Sequence, residues 1–253
     1  MTSMLSKAGI RGILLDIEGT ITPLSFVREV LFPYARSHVR DYLAGYFDST
    51  ETISDLARLR DEHALDVLED REPPALVDGP RDAVIDSFVS YVLWLMDRDR
   101  KSPGLKSLQG RIWEQGYLDG SLTAPLFADV LPAIENARRA GLQTAIFSSG
   151  SVFAQKLLLA HTYAGDLTKF IDDYFDTTTG PKTASDSYRK IAIALALAST
   201  EVLFVSDVIA ELDAAHAAGM QTLLCVRPGN QPQTPAGTHE IIYSFDRLAE
   251  IRD

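Results

Sequence analysis

GILLDIEGT, residues 12–20, is the stretch on which the reading of the chain turns. GILLD (12–16) is a short apolar run between polar flanks, and it ends in an acid. A run of that length and kind reads as a buried strand. The chain beyond it does not continue as sheet. Residues 25–120 contain almost no strand pattern. FVREVLFPYARSHVRDYL, SDLARLRDEHALDVL and RDAVIDSFVSYVLWLMDRD each place apolar residues three and four apart, the period of an amphipathic helix. EPP at 72–74 and SPG at 102–104 are breaks between these helices.

From about residue 123 the pattern becomes an alternation. LFADVLPAIENARRAG (126–141) predicts a helix ending at Gly141. QTAIFSS is a strand, SVFAQKLLLAHT a helix and DDYFDT a strand. SDSYRKIAIALALA is a helix, EVLFVSD a strand, ELDAAHAAG a helix and TLLCV a strand. Strands alternating with helices imply a parallel sheet covered on both faces. The expected fold is therefore α/β, a doubly wound (Rossmann-like) core with an all-helical cap inserted after its first strand. The expected boundaries are 1–24 plus 121–253 for the core and 25–120 for the cap. PGNQPQTPAGTHE (228–240) reads as a surface loop, and no internal repeat is present.

Composition narrows the possible partners. The 253 residues are 46% apolar and 23% charged, ordinary for a globular enzyme, with a formal net charge of −11. That acidity argues against nucleic acid, whose phosphates need clustered Lys and Arg. It leaves a small phosphorylated substrate open, because a bound divalent cation reverses the local field. Cys225 is the only cysteine, so no internal disulfide can form, and within TLLCV it reads as a small buried hydrophobe. A reducing cytoplasm is the expected compartment. The N-terminus lacks a signal-peptide core, and no apolar run is long enough to span a membrane. His38, His63, His161, His216 and His239 are scattered without metal-ligand spacing. With no heptad run and no obvious apolar patch, a monomer is the default.

Open parallel sheets bind ligands at the carboxyl ends of their strands, near the switch point of strand order. Four segments fall there: Asp16-Ile17-Glu18-Gly19-Thr20, Ser148-Ser149-Gly150-Ser151, Gly180-Pro181-Lys182 and Ser206-Asp207. Together they carry what phosphoryl transfer demands, namely an in-line nucleophile, charge neutralisation and a proton donor for the leaving group. Asp16 is the candidate nucleophile, forming an aspartyl-phosphate. Glu18 is the candidate acid and base. Asp16 and Asp207 are hard oxygen ligands suited to Mg²⁺. Ser149 can bond a phosphate oxygen, and the helix start after Gly150 favours an anion. Lys182 offsets repulsion between carboxylate and phosphate. Glu211, one helical turn past Asp207, can orient Lys182 or a metal-bound water.

Each residue has a plainer reading. A strand-end Asp is often a turn residue, Ser-Ser-Gly-Ser before a helix is often a simple N-cap, a lone Lys is usually solvated, and Asp207 with Glu211 can be an acidic first turn. Phe26 and Trp94 lie on apolar stripes and read as core before substrate contacts. Coincidence is a poor account of all four segments occurring in this order at strand ends.

The pattern resembles the haloacid-dehalogenase superfamily, whose four motifs read here as DIEGT (16–20), SSGS (148–151), Lys182 and SDVIAEL (206–212). Common phosphatases of that superfamily have Asp where Glu18 stands. DIEGTITPLSFV with FPYAR, LKSLQGRIWEQGYLDGSL (105–122), FDTTTGPKTASDSYRKIA (175–192) and FVSDVIAELDAAHAAGMQT (204–222) look like the bifunctional enolase-phosphatases, or acireductone synthases, of methionine salvage. The resemblance covers nearly the whole chain. It departs at Ile21, often Thr in the family, and at Pro181.

The resemblance implies a substrate, 2,3-diketo-5-methylthiopentyl-1-phosphate, that is first enolised and then dephosphorylated to an acireductone. It implies one Mg²⁺ at Asp16, Glu18 and Asp207, with Glu18 able to ligate through its main chain. It implies substrate contacts at Ser148, Ser149 and Lys182, and a cap that closes over the site. Enolisation also needs a base at the phosphate-bearing carbon, and Glu18 is the candidate. The nearest rival is a plain small-molecule phosphatase with the same core residues. A haloacid dehalogenase needs neither Mg²⁺ nor an acid at position 18, and a non-catalytic binding module would tolerate loss of Asp16.

Overall fold

The structure is a computed structural model that describes residues 9–230 and 239–250. The chain divides into two units, Met1–Val27 with Thr123–Asp253, and Arg28–Leu122.

The first unit is built on a sheet of six parallel strands, counted among the described residues, in the order β3-β2-β1-β4-β5-β6. They are β1 (Gly12–Leu15), β2 (Gln143–Phe147), β3 (Asp173–Phe175), β4 (Val202–Ser206), β5 (Gln221–Cys225) and β6 (Glu240–Ile242). All four residues of β1 are buried, as expected of a central strand covered on both faces. Gly12 pairs in register with Gln143 on one side and Val202 on the other. Strand order therefore reverses at β1, and the carboxyl ends of β1, β2 and β4 lie side by side. The connecting helices of this unit are α5 (Val130–Arg139), α6 (Val152–Ala160), α7 (Ser185–Ala194) and α8 (Ile209–Ala217). Leu14, Phe147, Tyr188, Phe204 and Leu212 pack in one buried cluster of this unit.

Two element ends and one strand differ from the sequence expectation. The helix expected from residue 126 starts at Val130, because the Asp129 carboxylate is engaged by Arg227 and the Phe245 N–H. The helix expected to reach residue 198 stops at Ala194, and Ala196 comes next but one with φ of +55°. β6 was not expected; three residues are too few to show a period, and Glu240 opens this strand rather than closing the 228–240 loop. The rest of that loop expectation, 231–238, lies outside the described residues.

The second unit contains four long helices among the described residues: α1 (Phe32–Tyr46), α2 (Thr50–Leu68), α3 (Arg81–Asp97) and α4 (Pro103–Leu118). A single π-helical turn, Phe26–Leu31, precedes α1. Pro33, in the first turn of α1, has no N–H for the helical ladder, which explains why FVREVLFPYAR is two pieces rather than one helix. Leu43, Leu59, Phe88, Val92 and Leu108 form the core, and Trp94 packs against it. Asp66 is buried in this unit and accepts hydrogen bonds from Tyr91 Oη (2.8 Å), Arg71 (2.9 Å) and Arg100 (2.7 Å). Those bonds, working against burial, hold its pKa below the ordinary value. Among the described residues no helix is long and apolar enough to cross a membrane.

Candidate active site

Asp16 continues β1 by one residue, and its N–H bonds to Val205 O on β4 at 3.0 Å. Its side chain is buried. Beyond it the chain turns back tightly: Ile21 and Thr22 N–H donate to Ile17 O (2.9 and 3.0 Å), and Gly19 N–H donates to Thr22 O (2.8 Å). Gly19 has φ of +73°, and a Cβ there would collide with the Asp207 carboxylate. Only glycine fits both the backbone and the space.

The loop after β2 and the first loop are joined at one point. Ser148, fully buried, donates from Oγ to Glu18 Oε2 at 3.1 Å and accepts from Gly150 N–H at 3.0 Å. Ser149 is exposed on the same loop. Ser151 caps α6, accepting from Ala154 N–H at 3.3 Å.

Lys182 is buried between two acids. Its Nζ lies 2.5 Å from Asp16 Oδ1 and 2.7 Å from Glu211 Oε2. Tyr188 Oη donates to the Lys182 carbonyl (2.7 Å), and Ser187 Oγ donates to the Pro181 carbonyl (2.7 Å). Both come from α7, so the loop is stapled to the helix after it. Glu211 also accepts from Ser206 Oγ (3.1 Å). Asp207 comes directly after β4 and is buried.

Three buried carboxylates, Asp16, Asp207 and Glu211, and the half-buried Glu18 thus act on one ammonium. Burial works against the charged form of Lys182, but Asp16 and Glu211 outweigh it and raise its pKa. The acids respond in the opposite sense to a lone ion pair. Burial, then the charge of Asp16, pushes Asp207 and Glu211 up to about 7, with Lys182 opposing. The same causes raise Glu18. An uncompensated excess of hard oxygen anions is the setting that suits a divalent cation. Among the described residues no three carboxylate, imidazole or thiol side chains stand together at metal-ligand spacing. Two carboxylates, Asp16 and Asp207, with a main-chain carbonyl such as that of Glu18, make a donor set of the right chemistry for Mg²⁺, which retains water ligands.

The structure joins Asp16, Lys182 and Glu211 by direct contacts, and Glu18 to Ser148 on the neighbouring loops. Asp207 lies against Gly19 of the same loop. The histidines take local partners: His38, His63 and His161 bond main-chain carbonyls, and His239 bonds Asp213 and Thr222. Cys225 is buried and free.

Several supporting residues carry no sequence signal. Asp176 caps the start of α6, accepting from Val152 N–H at 3.1 Å. Gln155 donates to the carbonyls of both Gly150 and Phe175 at 2.8 Å. Arg227 and Asn230 donate to the carbonyls of Thr20 and Gly19.

A parallel sheet of this order with these groups at its carboxyl edge defines a class, and residues 10–219 match the family model described as haloacid dehalogenase-like hydrolase. The curated protein Enolase-phosphatase E1 of Synechococcus elongatus is 52% identical, covering 94% of this chain and 98% of that one. The Enolase-phosphatase E1 of Branchiostoma floridae is 41% identical over 95% of this chain and 84% of its own. The crystal structure of UTR4 protein from Saccharomyces cerevisiae superposes with a TM-score of 0.75 at 35% identity, covering 94% and 99% of the two chains. CbbY from Rhodobacter sphaeroides, crystallised with phosphate, shares the fold at a TM-score of 0.57 and 17% identity, covering 94% and 96%. The chain belongs to the enolase-phosphatase family of haloacid dehalogenase-like hydrolases.

Proposed function

We propose that this chain converts 2,3-diketo-5-methylthiopentyl-1-phosphate to the acireductone 1,2-dihydroxy-3-keto-5-methylthiopentene, by enolisation and then phosphate removal, in methionine salvage. The observation that carries the reading is the half-buried Glu18 carboxylate on the loop after β1, oriented by Ser148 Oγ at 3.1 Å. A phosphatase acid can be any carboxyl at this place; a proton-abstracting base needs one of raised basicity, and burial with Asp16 nearby raises the pKa of Glu18.

In the first step Glu18 takes and keeps a proton from the phosphate-bearing carbon, and the neighbouring carbonyl oxygen gains one from water, giving the enol phosphate. In the second, Asp16 attacks phosphorus through Oδ2, since Lys182 holds Oδ1. The bond from phosphorus to the bridging oxygen on the phosphate-bearing carbon breaks, and Glu18 protonates that oxygen. Water then hydrolyses the aspartyl-phosphate, Glu18 accepting its proton. Lys182 has three N–H donors, two of them directed at Asp16 and Glu211, and the third can serve a phosphate oxygen. Ser149 would serve another; the N–H groups of Val152 and Ala154 at the start of α6 are taken by Asp176 and Ser151. Mg²⁺, one per chain, would be held by Asp16, Asp207 and the Glu18 carbonyl, and would neutralise phosphate charge and polarise the carbonyl. The same reading makes the chain a monomer of the cytoplasm, supported by a sole, buried cysteine.

The test supplies the diketone phosphate with and without Mg²⁺ and tracks enol absorbance and free phosphate together. Both signals should appear with Mg²⁺, and phosphate release should vanish in Asp16→Asn. Phosphate release with no enol and no acireductone would instead identify a plain phosphomonoesterase.

A further inference from the structure

The loop Asp16–Thr22 spends its own donors on itself. The N–H groups of Gly19, Thr20, Ile21 and Thr22 all bond within the loop, to Thr22 O or Ile17 O. Its carbonyls have to be satisfied from elsewhere. The segment after β5 does this at two successive residues: Asn230 Nδ2 donates to Gly19 O at 2.9 Å, and Arg227 Nε donates to Thr20 O at 3.2 Å. These contacts join positions 211 and 207 residues apart.

The two donors form a rigid unit. Arg227 is buried, its Nη1 is 2.7 Å from Asp129 Oδ2 and 3.4 Å from Tyr243 O, and its guanidinium lies 4.5 and 4.7 Å from the rings of Phe127 and Phe245. Asn230 N–H in turn donates to Arg227 O at 3.1 Å.

The need for such a grip arises at Gly19. Its φ of +73° requires glycine, and the Asp207 carboxylate leaves no room for a Cβ. Glycine is also the residue about which a peptide plane turns most easily. The loop cannot be stiffened by a larger side chain there, so stiffness has to be supplied from outside, on the carbonyl of Gly19 itself. Asp16 does not depend on it, because its N–H is bonded into the sheet at Val205 O. Glu18, next to Gly19, does.

We propose that Asn230, backed by Arg227, is a positioning residue that locks the Gly19 peptide and so keeps the Glu18 carboxylate in register with Asp16. The inference rests on the role given to Glu18 above. With the diketone phosphate and Mg²⁺, Asn230→Ala should lower kcat by about 100-fold while KM changes little, the scale expected when a catalytic group is misplaced by about 1 Å. In a Glu18→Gln background the same substitution should cost nothing further, because the group it positions is gone. Should Asn230→Ala fail to fold, Asn230→Asp removes the donor at unchanged size. Hydrogen exchange adds a readout that needs no substrate: the amides of 19–22 should exchange faster in the variant, and those of β1 should not. Full activity in Asn230→Ala, an equal factor in both backgrounds, or unchanged exchange would overturn the proposal. A wild-type chain releasing no phosphate sinks the functional reading, while the exchange experiment still decides the clamp.

Discussion

Glu18 carries the difference between the two chemistries proposed for this site. Its carboxylate accepts from Ser148 Oγ, which is itself fixed by the N–H of Gly150. Aspartate at 18 would keep the charge but withdraw it by one methylene and lose that bond. Glu18→Asp should therefore lower enolisation by about 100-fold or more, the usual worth of a well-placed general base. Phosphate release from the preformed enol phosphate should fall less, because the proposed nucleophile of that step is Asp16. Measuring both half-reactions on one preparation decides it, and equal losses would move the enolising base elsewhere. Asp16, Glu18, Lys182 and Asp207 are each ambiguous as residues in a sequence. Their meaning comes from sharing a place, which Lys182 demonstrates by touching both Asp16 and Glu211.

Helix α4 shows how one residue type takes opposite values in different elements. Gly104 stands in its first turn, where a Cβ would come within 2.9 Å of Leu59 Cγ and 3.2 Å of its backbone N on α2. Gly45, in α1, has nothing within 4 Å of the same atom. Alanine is the better helix former by up to about 1 kcal/mol. At position 45 that gain is unopposed, and Gly45→Ala should stabilise by about 0.5 kcal/mol. At 104 it meets overpacking worth about 1–3 kcal/mol, so Gly104→Ala should destabilise. Thermal midpoints of the two variants should move in opposite directions, and a shift upward in both would refute the packing account. The helices themselves were legible from their apolar spacing, because a period of about 3.6 residues survives over about 15 positions. Ends were less so: α5 starts late because Asp129 turns to Arg227, a contact made 98 residues away. β6, three residues long, leaves no period to read.

At the scale of the molecule the buried acids couple stability to pH and to metal. Asp207 and Glu211 titrate near 7 in the folded chain, through burial and the charge of Asp16, against about 4 when unfolded. The folded state binds their protons more tightly, so the stability they contribute is complete below about pH 4 and is lost as pH rises to about 7. Without divalent cation, the unfolding free energy should fall across that window by an amount on the order of a few kcal/mol, and the urea midpoint with it. On the proposed reading Mg²⁺ would be held by ionised carboxylates, so it should restore part of the loss at about pH 7.5, and Asp207→Asn should flatten the profile. A metal-free midpoint that climbs from about pH 5 to about 7 would contradict the assigned cause.

The parallel α/β core, the helical insertion after β1, and the strand ends that bear acids, serine and lysine are all readable along the chain. These are properties of local pattern, apolar period and punctuation, and they need no knowledge of who neighbours whom. Asp16 belongs here as a strand-end acid, as does Gly19 in the turn beyond it. Only the tertiary structure decided the contacts around them. Ser148 serves Glu18, Glu211 serves Lys182, and Asn230 and Arg227 hold the loop from beyond β5. The physical reason is topological. Strand order places β1 between β2 and β4, with β5 next to β4, so residues far apart in the chain share one edge of the sheet. Hydrogen bonds across that edge depend on distance in space, which no period along the chain encodes.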